Sequence, residues 1–352
     1  MSNYYNLKIK QVVSETKDAI TIHFKQPLFK KIKYKPGQFL TLLVPINGEV
    51  VRRSYSICTA PSLDGTIGVT VKRVEAGLVS NYLNDNIREG QKMEIMEPMG
   101  NFTVSVDKEA ERHYVLLGGG SGITPLMSIL KSVMAFEPNS KVSLIYCNQN
   151  EQSIIFKSQL DKLESEHPDR LHVQHVLAEP FGEITHPKWE KGVLIAPRLR
   201  ELVEQELSQL PPEKTEYYVC GPTGLMDMAE ETYEQMGIEK SHVHRESFYI
   251  DQQTEAPMAG VETQQVEVQL DNETYQVRVA AEKAILDAAL DDGLDMPYSC
   301  QSGVCTACRG KLESGKVHMD IDEALSPEEI EEGYILTCQA HPLTEDVRVN
   351  MD

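Results

Sequence analysis

The sequence contains no apolar run long enough to cross a bilayer, and it has no overall excess of positive charge. A membrane-spanning helix needs about 20 consecutive apolar residues, and no stretch of the chain approaches that length. The net charge of −20 argues against nucleic-acid binding, which depends on clustered lysine and arginine. The first residues lack the charged-then-apolar pattern of a secretion signal, so a cytoplasmic protein without a membrane or nucleic-acid partner is expected.

Cysteine is scarce, with seven residues in 352, and it is unevenly placed. An odd number of thiols suits a reducing compartment, where cysteines bind metal or stay reduced. The spacing Cys300-x4-Cys305-x2-Cys308, followed by a distant Cys338, is that of a plant-type [2Fe–2S] cluster. A zinc site is the alternative, but zinc usually pairs one close set of cysteines with a second. Because Cys338 stands alone, the four cysteines are predicted to be cluster ligands.

The pattern of short segments predicts three domains of different class. Residues 1–107 contain short alternating stretches separated by Gly, Pro and Asn, which is typical of an antiparallel β-barrel. Residues 108–250 alternate buried strands with helices and predict an α/β domain with a parallel sheet. Residues 251–262, DQQTEAPMAGVE, have the composition of a flexible linker. Residues 263–352 open with a predicted hairpin and helix.

Charge is distributed unequally between the ends of the chain. Residues 1–107 have a net charge of +4, whereas residues 263–352 have a net charge of −13. Either the acidic residues only keep the protein soluble, or they form a docking face that steers a protein partner.

The segment VVRRSYSICTAP has the residue types that a flavin requires. An arginine can bind a diphosphate as a fork, a tyrosine can cover the isoalloxazine face, and a serine can hydrogen-bond the ring edge. On its own the R-x-Y-S pattern is weak, because a barrel tyrosine often only packs. About twenty residues later, Gly77 and Ser80 precede a predicted helix, where backbone N–H groups favour phosphate.

Together these two segments resemble the ferredoxin–NADP⁺ reductase superfamily. The resemblance implies that R-x-Y-S holds the flavin and that the G-x-x-S turn holds the diphosphate of FAD, which favours FAD over FMN. The implied flavin-binding residues are Arg53, Ser54, Tyr55, Ser56, Lys72, Gly77, Val79 and Ser80.

A second glycine turn, LLGGGSGITP, lies between a predicted strand and a predicted helix. It is not the G-x-G-x-x-G fingerprint of dinucleotide-binding folds, since Ile123 stands where the third glycine would fall. It resembles the NAD(P) motif of the same superfamily, and YYVCGPTG resembles its partner motif. The residues implied to bind the nicotinamide nucleotide are Gly120, Gly122, Ile123, Thr124, Cys220, Gly221 and Pro222.

The resemblance implies that three of these residues are catalytic, in the sense that they position the reacting rings. They are Ser56 near flavin N5, Thr124 at the flavin–nicotinamide junction, and Cys220 on the nicotinamide path. The segment HRESFYI adds Glu246 and Phe248, which the resemblance places near the flavin, although a terminal strand that packs on the barrel would have the same sequence.

The choice between NADPH and NADH depends on the end of the next strand, IYCNQNEQSIIF. An NADPH enzyme offers arginine or lysine to the 2′-phosphate, whereas an NADH enzyme offers an acid to the ribose hydroxyls. Related NADPH reductases often have Asn-Arg here, but this chain has Asn148-Gln149. The resemblance favours NADPH, with Arg198 or Lys157 as the residues that would compensate, and NADH is the alternative.

The cluster segment MPYSCQSGVCTACRGKL resembles the loop of plant-type ferredoxins and implies a β-grasp domain. The order of flavin, nucleotide and ferredoxin domains resembles the reductase components of bacterial oxygenases, including those of phenylacetyl-CoA epoxidase complexes. Electrons are therefore expected to pass from NAD(P)H through FAD and [2Fe–2S] to a di-iron oxygenase. Two alternatives are a general reductase for another acceptor, such as a steroid hydroxylase, hybrid-cluster protein or soluble carrier, and a redox-sensing module.

Overall fold

The computed structural model describes residues 4–27, 31–207, 214–248, 263–281, 283–301, 303, 305–322 and 324–352. The predicted linker, 251–262, lies outside the described residues. Contacts divide the chain into two compact units. One contains most of the first two sheets, and the other contains the C-terminal sheets together with Arg52–Ser54. Among the described residues, no helix has the length and apolar character needed to cross a membrane.

The first domain is a six-stranded antiparallel barrel with the strand order β4-β3-β6-β1-β2-β5. A bridge between Ile57 and Val69 joins the segment after β4 to β5 and closes the sheet. Apolar side chains fill the interior, and α1 covers one end. The elements are β1 (Tyr4–Thr16), β2 (Ala19–Lys25), β3 (Phe39–Ile46), β4 (Glu49–Ser56), β5 (Thr66–Lys72), α1 (Leu78–Asn86) and β6 (Lys92–Met96).

The second domain is a parallel sheet with the order β10-β9-β8-β7-β11-β12. The order reverses direction between β7 and β11, and ligands in such folds bind at the carboxyl ends of strands at that point. The elements are β7 (His113–Gly119), α2 (Ile123–Phe136), β8 (Lys141–Asn148), α3 (Lys157–Glu166), β9 (Leu171–Leu177), β10 (Trp189–Lys191), α4 (Ala196–Leu207), β11 (Thr215–Cys220), α5 (Thr223–Gln235) and β12 (Val243–Glu246).

The barrel and the parallel sheet are held together through α2. The Ser128 hydroxyl donates to the Thr59 carbonyl at 2.6 Å, and Lys131 forms an ion pair with Asp64 at 2.5 Å. Apolar residues at the end of the barrel segment also join the core between the sheet and α2. The carboxyl ends of β7 and β11 are therefore fixed against the barrel.

The C-terminal unit contains a five-stranded mixed sheet, β14-β13-β19-β15-β17, and a two-stranded sheet, β16-β18. Helix α6 packs on the larger sheet and completes an apolar core of its own. The elements are β13 (Gln264–Leu270), β14 (Glu273–Val279), α6 (Ile285–Asp291), β15 (Arg309–Ser314), β16 (Val317–Met319), α7 (Pro327–Glu331), β17 (Tyr334–Leu336), β18 (Ala340–Pro342) and β19 (Arg348–Asn350).

This architecture confirms the predicted fold class of barrel, parallel-sheet domain and α+β ferredoxin domain. Every predicted strand is present, because alternation and buried apolar runs are strong local signals. Strands β10 and β15–β19 and helices α4, α5 and α7 were not predicted. Strand β10 has only three residues, too few for a period, whereas α4 is amphipathic and buries Leu199, Leu202 and Val203.

Candidate functional site

The first four predicted flavin-binding residues, 53–56, lie at the end of β4, where the barrel meets the parallel sheet. Arg53 is exposed on β4 and donates to the Arg52 carbonyl at 2.8 Å. Tyr55 is half-buried against the barrel core, whereas Ser56 is buried. An exposed guanidinium, a partly open ring and a buried hydroxyl in succession fit a ligand that has a charged end and an aromatic end.

The turn before α1 is braced by its own side chains. Ser80 is buried, and its hydroxyl accepts a hydrogen bond from the Val74 N–H at 3.1 Å. A Cβ at Gly77 would lie 2.6 Å from that hydroxyl, so the turn needs glycine there for its own packing. Val79 packs in the barrel core and can offer a ligand only its backbone. The structure therefore brings Gly77 and Ser80 together as a preformed turn at a helix N-terminus.

The two glycine-rich turns of the nucleotide domain pack directly on each other. A Cβ at Gly122 would lie 2.0 Å from the Cys220 carbonyl oxygen, and one at Gly119 would lie 2.6 Å from Pro222 Cδ. Gly120 has a φ of +53° and a Cβ there would lie 3.4 Å from Lys72 Nζ, so the ammonium group of β5 lies beside this turn. The sequence suggested that these glycines admit a phosphate, but the structure shows that Gly122 is required first for turn-on-turn packing.

Ile123 and Thr124 begin α2 and are both buried. The Thr124 hydroxyl donates to the Ser121 carbonyl at 2.9 Å and so stabilises the short 3₁₀ turn at Gly120–Gly122. Ile123 contributes its side chain to the core. Their contribution to nucleotide binding is therefore expected to come from backbone N–H groups at the start of the helix.

Ser56, Cys220 and Glu246 meet at the boundary between barrel and sheet. Cys220 and Glu246 are paired in register on β11 and β12, and the Ser56 hydroxyl donates to Glu246 Oε2 at 3.1 Å. Desolvation raises the pKa of Glu246 to about 8, although the serine lowers it. Burial raises the pKa of the Cys220 thiol, and the Glu246 charge adds to this effect. The cysteine therefore stays protonated, which suits positioning and not nucleophilic attack.

The raised pKa of Glu246 predicts a pH dependence of stability. The folded protein keeps the carboxyl protonated between about pH 4.5 and 8, where the unfolded chain has lost that proton. The folded state therefore binds more protons, and its stability falls as the pH rises through this window by roughly a few kcal/mol. Glu246→Gln is expected to lose this slope and to be more stable than the parent at pH 8.5.

Fluorescence of the single tryptophan, Trp189, can follow urea unfolding of this domain at pH 5.5 and 8.5 in the full-length protein, because Trp189 lies on β10 of the same sheet. Ser247→Ala, one position further along, is the matched control and should keep the slope of the parent. An equal urea midpoint for parent and Glu246→Gln at both pH values would contradict the assigned protonation.

In the C-terminal unit, the structure brings the four predicted cluster cysteines together. Cys305 Sγ lies 3.1 Å from Cys300 Sγ, and Cys300 and Cys308 are the neighbours that most raise the pKa of the Cys338 thiol. The hydrogen bond with Cys300 is the main reason that the pKa of the Cys305 and Cys338 thiols is raised, and burial adds to it. Four sulfurs of this kind form the donor set of a [2Fe–2S] cluster, whose iron ions favour the deprotonated thiols.

Residues that the sequence analysis missed hold the two cysteine segments together. The Thr337 N–H and hydroxyl both donate to the Cys308 carbonyl, at 3.1 and 2.9 Å. The Gln339 amide donates to the Gln301 carbonyl at 3.4 Å and to the Cys338 carbonyl at 2.8 Å. Gly303 has a φ of +74°, and a Cβ there would lie 2.8 Å from Ile321 Cγ2. Only the position next to Cys338 could have drawn attention to Thr337 and Gln339 in the sequence.

Three known domain families match successive parts of the chain. Residues 6–104 match the oxidoreductase FAD-binding domain, residues 116–231 the oxidoreductase NAD-binding domain, and residues 268–343 the 2Fe-2S iron-sulfur cluster binding domain. The matches confirm the predicted cofactor classes, FAD, a nicotinamide nucleotide and [2Fe–2S].

Relatives that match over their full length are components of oxygen-inserting enzymes. The chain is 36% identical to one subunit of the 1,2-phenylacetyl-CoA epoxidase of Escherichia coli, over 100% of this chain and 99% of that one. It is also 36% identical to the ferredoxin reductase component of 3-ketosteroid-9-alpha-monooxygenase from Mycolicibacterium smegmatis, over 100% and 98% of the two chains. The fold matches phthalate dioxygenase reductase with a TM-score of 0.61 at 23% identity, over 99% and 98% of the two chains.

The fold, the site and these matches define an NAD(P)H-dependent flavin and iron–sulfur oxidoreductase that transfers electrons. The chain belongs to the ferredoxin–NADP⁺ reductase superfamily, in the group whose C-terminal domain is a plant-type [2Fe–2S] ferredoxin.

Proposed function

We propose that this protein supplies electrons to the oxygenase component of a phenylacetyl-CoA epoxidase-type complex. The observation that carries the proposal is the 36% identity with one chain of the E. coli epoxidase over essentially the whole of both sequences. Because the match includes all three domains in the same order, it concerns the entire electron path and not one cofactor site.

The residues of each domain have separate tasks in this proposal. A bound FAD would supply the chemistry that links a two-electron hydride donor to a one-electron [2Fe–2S] cluster. Arg53, Tyr55 and the Gly77–Ser80 turn would hold the flavin, and the two glycine turns would hold the nucleotide. Ser56 and Cys220 position the reacting rings. Glu246 holds a proton at its carboxyl near neutral pH and can exchange it with the Ser56 hydroxyl.

Partner docking at the C-terminal domain forms part of the same proposal. Residues 263–352 have a net charge of −13 and include the four cluster cysteines. Charge of one sign around a redox centre accelerates encounter with a partner of opposite sign, and salt screens the effect. The proposed oxygenase component therefore has a basic surface at the point of contact.

A steroid monooxygenase is the second candidate partner, because the M. smegmatis reductase component has the same 36% identity and nearly the same coverage. Electron transfer to each purified oxygenase component distinguishes the two candidate partners.

Reconstitution with purified oxygenase components tests the proposal. With the phenylacetyl-CoA epoxidase oxygenase, NAD(P)H oxidation should be coupled to product formation, and the rate should fall as salt is raised from 50 to 500 mM. With the oxygenase component of a 3-ketosteroid-9-alpha-monooxygenase, coupled turnover should be at least about tenfold slower. A tenfold ratio corresponds to a preference of about 1.4 kcal/mol for the epoxidase component. A faster coupled turnover with the steroid monooxygenase component would contradict the epoxidase proposal and identify the steroid monooxygenase as the partner.

A further inference from the structure

The carboxyl end of β8 contains a buried amide whose hydrogen-bonding capacity is incompletely used within the described residues. Asn148 is 8% exposed, and within the described part of the chain neither its oxygen nor its nitrogen has a partner of normal geometry. It lies beside the Tyr146 hydroxyl, which donates to the Gly120 carbonyl at 2.9 Å. An unsatisfied buried amide costs stability. Its place next to the nucleotide turn indicates that a ligand supplies the missing hydrogen bonds.

The loops that follow β8 and β9 form one surface around this amide. The Glu179 N–H donates to the Gln149 carbonyl at 2.7 Å, and the Phe181 N–H donates to the Glu151 carboxylate at 3.0 Å. The Phe181 ring is 63% exposed. An exposed ring beside a fixed carboxylate suits a ligand with a flat base and a diol, since a carboxylate accepts from both hydroxyls.

In the two loops that form this surface, the only charged side chains are negatively charged. Residues 148–156 and 177–187 contain three glutamates and no lysine or arginine. A 2′-phosphate placed here would face Glu151 without a cation from either loop, and like charges at close range are repulsive.

The two cations that the sequence offered as replacements are bound elsewhere. Arg198 forms ion pairs with Glu190 and Glu201. Lys157 forms an ion pair with Asp161 at 2.7 Å, and its ammonium lies 5.4 Å above the Trp189 ring. Binding a phosphate would require either side chain to give up these contacts.

We infer that the carboxyl ends of β8 and β9 bind the adenosine ribose and select NADH against NADPH, with Gln149 and Glu151 as the specificity-determining residues. The inference rests on the NAD-binding function of this domain and does not depend on the oxygenase partner. It reverses the preference for NADPH that the family resemblance suggested, because that preference needs a cation that this surface lacks.

Two measurements on the full-length, FAD-loaded protein test the inference. Ferricyanide reduction should give a kcat/KM for NADH at least about tenfold above that for NADPH. Calorimetry should show that AMP binds more tightly than 2′,5′-ADP. An NADPH preference, or tighter binding of 2′,5′-ADP, would overturn the inference. Absence of turnover with both coenzymes would count against the reductase function, while the two affinities would still decide the ribose site.

Substitutions identify the residues responsible. Gln149→Arg should shift the NADPH/NADH ratio of kcat/KM by at least about tenfold toward NADPH, and Glu151→Gln should shift it in the same direction. Gln235→Arg adds the same charge at an exposed position at the end of α5 and should leave the ratio unchanged. Asn148→Ala should weaken AMP binding in calorimetry. A ratio that Gln149→Arg does not move, in protein with normal FAD content, would refute the assignment.

Discussion

Cys305→Ser is expected to lower NAD(P)H-dependent cytochrome c reduction by at least about 100-fold, because the [2Fe–2S] cluster is the outlet of the electron path. Direct transfer from flavin to ferricyanide should retain most of its rate. The two assays use the same coenzyme and the same flavin. A loss of cytochrome c reduction alone therefore isolates electron transfer through the cluster.

The geometry of the four thiols explains the size of this effect. Cys305 is 5% exposed and lies 3.1 Å from Cys300 Sγ. A hydroxyl at this position is a poor ligand for cluster iron, which requires thiolate donors. Apart from Arg52–Ser54, the flavin and nucleotide domains belong to the other compact unit and should keep their structure.

Cys147→Ser is the matched control, since Cys147 lies on β8 in the nucleotide domain and belongs to none of the cluster segments. This variant should keep both activities and the visible absorbance of the cluster. Loss of both activities in a folded, flavin-loaded Cys305→Ser protein would argue against a serial path from flavin to cluster.

Gly122→Ala is expected to slow flavin reduction by at least about 100-fold, the usual cost of misplacing reacting groups by about 1 Å. The added Cβ would lie 2.0 Å from the Cys220 carbonyl oxygen and 2.8 Å from the Gly221 nitrogen, and both are backbone atoms that have little room to move. One turn must shift, and Cys220 and Glu246 lie on the strand ends beneath it. Stopped-flow absorbance after mixing with NADH or NADPH measures the rate.

Gly224→Ala provides the control for this second prediction. Gly224 lies two residues beyond Pro222 at the start of α5, and a Cβ there would meet nothing within 4 Å. Its rate of flavin reduction should equal that of the parent protein. A Gly122→Ala protein that keeps the parent rate would show that the two turns need not touch for hydride transfer.

Much of the fold was predictable because its signals are local. Alternation in ITIHF and buried runs such as HYVLLGG determine strands by the period of their side chains, and the structure has both. The short β10 lacks such a period, so only packing against its neighbours defines it. Helix α4 does have one, because Leu199, Leu202 and Val203 are buried at helical spacing.

The candidate site was predictable to a different extent in each domain. Three cluster cysteines lie within nine residues, so their spacing alone predicts that they lie close together, and Cys338 completes a known pattern. The partnership of Ser56 with Glu246 spans 190 residues and depends on how the barrel packs against the sheet. No period or spacing in the sequence reports such a contact.

The sequence by itself determined the fold class and the cofactor classes, since these rest on local periodicity and on motifs of closely spaced residues. Only the tertiary structure decided why Gly122 must be glycine, how Glu246 comes to hold a proton near neutral pH, and that Arg198 and Lys157 are already paired. Those properties arise from distances and desolvation between distant segments, and these exist only once the chain has folded.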